Sequence, residues 1–230
     1  MSSIHRGEGE STSADAPVPV ADTPDAAVGA VLAGGHGSRL GGDKATADLA
    51  GRPLISYALS ALTAAGLDPI VVAKPDFPAS GRYLSRLATQ AATGGARPSD
   101  VEVIAEPTEP THPLVGIVAA LRHAGRPVVV LGCDFPFVPP ALLRALADAA
   151  EPLVVPAPGG GSQPLVARWS PELLPDLEAA LTREEPLRRT VASLSPRLLT
   201  DADLAPYGDP RRVFFNVNTP EDLQAAAELV

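Results

Sequence analysis

The chain of 230 residues has one cysteine, Cys133, which excludes an internal disulfide, and no Cys/His cluster has zinc-ligand spacing. Lysine is nearly absent: Lys44 and Lys74 are the only two among 18 basic residues, against 27 acidic ones. With a formal net charge of −9 and no Lys/Arg run, the chain lacks the basic surface that nucleic-acid binding needs. Aromatic residues make up 4%, so the core has to be built from Val, Leu, Ala and Ile. No apolar run reaches the roughly 18 residues of a membrane-spanning helix. The polar, acidic start Met1-Ser2-Ser3-Ile4-His5-Arg6 lacks the positive charge and apolar run of a secretory leader. These absences predict a reducing, cytoplasmic setting with no nucleic acid and no membrane among the partners.

What is present points to a globular protein, since hydrophobic residues make up 45% and charged residues 20%. The 20 glycines and 26 prolines are too many for a helical bundle and fit many short turns. Residues 1–27 set Glu8, Glu10, Asp15, Asp22 and Asp25 against Arg6 alone, a net of −4. This stretch is rich in Ser, Pro and Ala and has no periodic apolar face, so it reads as a disordered extension. Residues 28–230 then form one domain.

Within that domain, short apolar runs alternate with helix-like segments. Residues 28–32, 70–73, 101–105, 127–132, 153–156, 165–168 and 213–217 read as strands. Residues 54–65, 84–92, 114–123, 139–150, 172–181, 187–194 and those from Pro220 onward read as helices. Continuous apolar runs suit strands buried on both faces. Strands alternating with helices predict an α/β fold with a mainly parallel central sheet. Ligands of such sheets bind beyond the carboxyl ends of the strands, so the loops after Leu32, Ala73, Ala105, Leu131 and Val217 are where chemistry is expected.

The first of these loops is Leu32-Ala33-Gly34-Gly35-His36-Gly37-Ser38-Arg39-Leu40-Gly41-Gly42-Asp43-Lys44, with five glycines in eleven residues. Glycine lets backbone N–H groups approach an anion closely, and Arg39 and Lys44 add two cations. A triphosphate is the simplest ligand for that combination. The spacing is not that of a P-loop, and Leu40 stands where a dinucleotide fingerprint needs its third glycine. A flexible surface turn would explain the glycines, but not two cations following a buried strand.

This run, with Leu49-Ala50-Gly51-Arg52-Pro53-Leu54 after it, resembles the nucleotidyltransferase superfamily of the sugar-phosphate and cofactor type. Within that superfamily it is most similar to the molybdenum cofactor guanylyltransferase family. The resemblance spans about residues 28–230. It implies a single Rossmann-like three-layer sandwich of the nucleotide-diphospho-sugar transferase type. It also implies Mg²⁺-dependent transfer of GMP from GTP to the terminal phosphate of molybdopterin, with release of pyrophosphate. Leu32, Ala33, Gly34, Gly35 and Gly37 would hold the nucleotide, with Arg39, Lys44 and Asp134 as the catalytic groups. The expected assembly is a monomer or a weak homo-oligomer. Competing readings are transfer of CMP or another nucleotide, to molybdopterin or another phosphorylated small molecule, and a catalytically silent nucleotide- or cofactor-binding module.

Asp134, in Gly132-Cys133-Asp134-Phe135-Pro136, lies just past a strand end. A carboxylate there repels a triphosphate unless a cation intervenes, and Mg²⁺ takes one or two carboxylates plus waters. The alternative is an aspartate that caps the turn before Pro136. Cys133 reads as a small buried neighbour, not a nucleophile.

Near the carboxyl terminus, Phe214-Phe215-Asn216-Val217-Asn218-Thr219-Pro220-Glu221-Asp222 alternates at what reads as a strand end, predicting Asn216 and Asn218 on one face. Thr219 to Asp222 reads as a capped helix start. In the family this resembles, the two asparagines lie on the acceptor and metal side, with Asn218 supporting the metal or touching the acceptor. Glu106 reads either as a carboxylate that accepts two hydrogens from a guanine edge, with Glu109 as its rival, or as a solvated loop acid. His112 stands where the family prefers glycine, and Ala73 where some relatives carry a polar base-contacting residue. Gln163-Pro164-Leu165 resembles an acceptor-lining segment and reads equally as a strand start. Arg183, Arg188, Arg189, Arg211 and Arg212 read as anion-holding groups or as a solvated face.

Overall fold

A computed structural model describes residues 26–33, 44–75, 77 and 101–230. The readings made for residues 1–25 of the tail, for the helix at 84–92 and for Gly34, Gly35, Gly37 and Arg39 lie outside these residues.

Among the described residues, the central sheet has seven strands. They are β1 (Val28–Leu32), β4 (Pro69–Ala73), β5 (Glu102–Ala105), β6 (Val128–Gly132), β7 (Leu153–Pro156), β8 (Val166–Trp169) and β9 (Arg197–Leu199). A small hairpin of β2 (Asp48–Leu49) and β3 (Arg52–Pro53) stands apart. The spatial order is β5-β4-β1-β6-β8-β7-β9, and β8 alone runs against the others. From β1 the chain proceeds outward on one side through β4 and β5, then returns to β6 on the other. The order therefore reverses between β1 and β6, where an open α/β sheet leaves a crevice for a ligand.

Helices cover both faces, which makes three layers. Alternate residues of a strand point to opposite faces. Val31 and Leu131 accordingly join one core with Leu59 and Leu62 of α1 (Leu54–Ala64) and Leu142 and Leu146 of α3 (Pro140–Ala147). Ala30 and Val130 join the other, with Leu114, Ile117 and Leu121 of α2 (Pro113–Ala124) and Leu177 of α4 (Leu174–Thr182). Each fully buried leucine contributes about 1.5–3 kcal/mol relative to exposure, so the central strands are held from both sides. The one tryptophan, Trp169, is fully buried in the second core and donates its indole N–H to the Pro164 carbonyl at 3.3 Å.

The remaining α-helices among the described residues are α5 (Leu187–Ser193), α6 (Asp201–Leu204), α7 (Pro210–Val213) and α8 (Pro220–Ala227). The strand expected at 213–217 does not form. Asp209 caps α7 by accepting from the Arg211 N–H at 2.9 Å, and Val213 closes that helix. Residues 214–217 continue as irregular chain. Their apolar alternation has another cause: Phe215 packs edge-on against Phe137 with ring centroids 6.2 Å apart, and Val217 buries with Leu49, Leu54 and Ala226. Among the described residues, no helix is long and apolar enough to cross a membrane.

Candidate functional site

The sheet ladder runs slightly past the ends of its strands. The Ala33 N–H donates to the Val72 carbonyl at 2.8 Å, Cys133 to Leu32 at 3.2 Å and Glu106 to Ala73 at 2.9 Å. These bonds carry the rigidity of the sheet into the residues beyond it. Above them lies a cavity of about 170 Å³. Leu32 and Gly132 to Asp134 form its floor, Lys44 closes one end, and Lys74, Glu106 and His112 line the other.

At the first end, Lys44 opens a short 3-10 turn (Lys44–Thr46). Its Nζ donates to Asp134 Oδ2 at 2.9 Å and to Asn218 Oδ1 at 2.7 Å. Asp134 sits where its backbone also serves the carboxyl-terminal segment, for the Val217 N–H donates to its carbonyl at 2.9 Å. Its carboxylate needs the bare backbone of Gly132: a Cβ there would collide with Asp134 Oδ1. Asp134 is therefore not a simple turn cap.

Asn218 is held from behind. Asp222 Oδ2 accepts from the N–H groups of Asn218 and Thr219, each at 2.9 Å, and the Thr219 hydroxyl accepts from the Asp222 N–H at 3.1 Å. This capping box starts α8, as its sequence suggested. The hydrogen bond from the Asn218 backbone is the main cause holding the Asp222 carboxyl below the usual aspartate range, and the positive charge of Lys44 acts in the same direction.

At the second end, Glu106 follows β5 directly and is 8% exposed. Its Oε1 lies 3.2 Å from Lys74 Nζ, and a Cβ on Gly116 would lie 2.7 Å from its Oε2. Glu109 is exposed and does not line the cavity. His112 caps α2, its Nδ1 accepting from the Leu114 N–H at 3.1 Å, which puts the ring proton on Nε2. Cys133 is buried beside Asp134.

The two asparagines part company. Asn216 lines a second cavity of about 340 Å³ with Phe135, Gln163, Pro164 and Arg188, and its Oδ1 is buried with no hydrogen-bond partner among the described residues. Because 213–217 is not a strand, the two-residue alternation that would put both amides on one face is missing. Leu165 borders both cavities. Gln163-Pro164-Leu165 precedes β8 and is not part of it. Of the five arginines, Arg188 alone borders the second cavity. Arg183 pairs with Glu185 at 3.0 Å, and Arg212 lies over the Phe137 ring at 5.6 Å.

Lys74 is the residue that sequence reasoning missed. The signal was available: one of only two lysines in the chain directly follows the apolar run 70–73, at a strand end where ligands bind. Among the described residues, no cluster of three or more His, Cys, Asp or Glu could hold a metal ion. The Asp134 carboxylate and the Asn218 amide oxygen do converge on one cation, the Lys44 ammonium. A pair of hard oxygens completed by phosphate oxygens and water suits a divalent ion of the Mg²⁺ class.

A family model described as the MobA-like NTP transferase domain matches residues 29–198. A molybdenum cofactor guanylyltransferase of Bradyrhizobium sp. (strain ORS 278) is 33% identical over 218 residues, covering 90% of this chain and 94% of that protein. Another, from Rhizobium leguminosarum bv. trifolii, is 34% identical over 215 residues, covering 86% and 90%. Among solved structures, molybdopterin-guanine dinucleotide biosynthesis protein A from Archaeoglobus fulgidus superposes with a TM-score of 0.69 at 26% identity, covering 87% of this chain and 97% of that one.

Proposed function

This chain belongs to the MobA-like NTP transferase family and is a nucleotidyltransferase, and from that premise we propose that it moves GMP from GTP to the terminal phosphate of molybdopterin. An acceptor phosphate oxygen attacks the α-phosphorus. The bond between that phosphorus and the α–β bridging oxygen breaks, and pyrophosphate leaves with the electron pair. A phosphate acceptor is already ionised near neutral pH, so no protein base has to remove a proton. Catalysis is then positioning and charge stabilisation.

The observation that carries this reading is the Lys44 ammonium set between Asp134 and Asn218 in the same cavity as Glu106. Lys44 is placed to neutralise charge building on the α-phosphate. The loop from Leu32 and Ala33 through Gly34, Gly35, Gly37 and Arg39 holds the phosphates. A divalent ion, Mg²⁺ in this proposal, would be held by Asp134 and Asn218 and would supply charge neutralisation on the phosphate oxygens. Glu106 reads the base. An ionised carboxylate only accepts hydrogen bonds, which matches the N1–H and N2–H₂ of guanine and opposes the N3 and O2 acceptors of cytosine. Asn216 and Arg188 are assigned to the acceptor side through the second cavity, which meets the first at Leu165.

The test is pyrophosphate release from the full chain with Mg²⁺, molybdopterin and each of the four nucleoside triphosphates. Release with GTP above all others is expected. Release chiefly with CTP would overturn the guanine assignment, and none with any triphosphate would favour a binding module.

A further inference from the structure

The proposed transfer uses Lys44 and leaves Lys74 without a task, although both lysines face the same cavity. Lys74 stands directly after β4 and Glu106 directly after β5, on strands paired in parallel register. An ammonium has three protons to donate. Around Lys74 Nζ are the Pro107 carbonyl at 2.8 Å, the Thr108 carbonyl at 3.3 Å and Glu106 Oε1 at 3.2 Å. The two carbonyls accept hydrogen bonds and the carboxylate is an ion-pair partner, and all three belong to the loop that follows β5. The ammonium is thus committed to the protein and is not offered to a ligand. Glu106 is paired with Lys74 at Oε1, and the missing Cβ of Gly116 leaves the room that Oε2 occupies. The Lys74 side chain is 13% exposed and that of Glu106 9%, so the pair is shielded and its geometry is held by packing as well as charge.

We propose that Lys74 is a positioning residue for base selection: it clamps residues 106–108 and offsets the charge of Glu106, so that the carboxylate stays aimed at a base edge carrying two adjacent N–H donors. The proposal rests on the reading that Glu106 meets the base. Without Lys74, a shielded carboxylate loses its compensating charge and its loop loses three contacts, so Glu106 would turn away or move outward. Guanine offers N1–H and N2–H₂, whereas hypoxanthine offers N1–H alone. The GTP/ITP affinity ratio therefore reports the aim of Glu106 while the triphosphate is held constant.

The experiment is titration calorimetry of GTP, ITP and CTP on the full chain with Mg²⁺, for the wild type, Lys74→Met, Lys74→Gln and Glu106→Gln, with a thermal melt of each. The wild type is expected to prefer GTP over ITP by about 10-fold or more, the worth of a hydrogen bond to a charged group. Lys74→Met should bring that ratio to within about 3-fold of unity, with ITP, which loses one hydrogen bond, weakened less than GTP, which loses two, and CTP unchanged. Lys74→Gln, which keeps N–H donors for the carbonyls but no charge for Glu106, should fall between; if Lys74→Met does not fold, this variant decides. A wild-type ratio in the lysine variants, with the ratio abolished in Glu106→Gln, would overturn the role of Lys74 and leave the Glu106 reading standing. A ratio unchanged in Glu106→Gln as well would remove the Glu106 reading itself. An equal fall for GTP, ITP and CTP would make Lys74 a structural residue and also overturn the proposal.

Discussion

The two ends of the cavity are built from the same parts and wired differently. Each has a lysine, a carboxylate within 2.9 or 3.2 Å of it, and a glycine that leaves room for that carboxylate. Lys44 reaches acceptors 90 and 174 residues away, both of them side chains with a formal or strong partial negative charge. Lys74 bonds carbonyls 33 and 34 residues away, in the loop that also carries its carboxylate. The first arrangement gathers three distant segments around one cationic point, and a ligand cation could take over the same oxygens. The second is a clamp on a single loop, where both hydrogen-bond acceptors are neutral carbonyls and the carboxylate is an ion-pair partner. The difference teaches that a lysine–carboxylate pair has no fixed meaning: its remaining partners separate a junction of distant segments from a clamp on one loop.

The largest effect should come from Asp134→Asn, which keeps the shape and removes the charge. Transfer should fall by about 10²–10³-fold, measured as pyrophosphate release, with the GTP/ITP preference retained. A changed preference would break the division between the two ends. Next is Gly132→Ala, whose Cβ would collide with Asp134 Oδ1. The carboxylate has to move away from Lys44, and misplacement of a catalytic group by about 1 Å should lower transfer by roughly 10–100-fold, again without altering base preference. The matching change at the other end, Gly116→Ala, pushes on Glu106 Oε2 from 2.7 Å. Here the expected loss is in the GTP/ITP ratio, about 10-fold, with turnover at saturating GTP changed by less. If Gly116→Ala instead lowered turnover and spared the ratio, the roles of the two ends would be reversed.

The smallest effect should be that of Asp222→Ala. Loss of the helix cap costs about 1 kcal/mol, read by urea unfolding, together with weaker Mg²⁺-dependent turnover as Asn218 slackens. Its pH dependence has a definite sign. The Asp222 carboxyl is lowered from 3.8 in the folded chain, so its contribution is complete above that value and is lost as pH falls through the lower folded-state one. The stability gap between wild type and Asp222→Ala should therefore close on acidification.

Much of this was legible in the residues. The apolar runs of β1, β4 and β6 marked strands buried on both faces; the loops after β1 and β6 held Lys44 and Asp134, and Glu106 came directly after β5. The start of α8 was legible too, because its capping box is local chemistry. The run 213–217 misled because Val213, Phe215 and Val217 alternate as a strand would. Their apolar character serves separate contacts, and the better signal was Asp209-Pro210, a cap followed by proline at the first helical position. Strand β9 and the β2–β3 hairpin are too short for any periodicity to show.

Composition, hydrophobic period and turn chemistry settled the layered α/β architecture and the edge of the sheet where ligands belong. These are short-range properties, and each can be read from a few adjacent residues. The pairing of each lysine with its carboxylate, the parting of Asn216 from Asn218, and the place of Glu106 but not Glu109 in the cavity lining came from packing. They depend on which strands lie side by side and on where a missing Cβ leaves space, and no local stretch of chain carries that information.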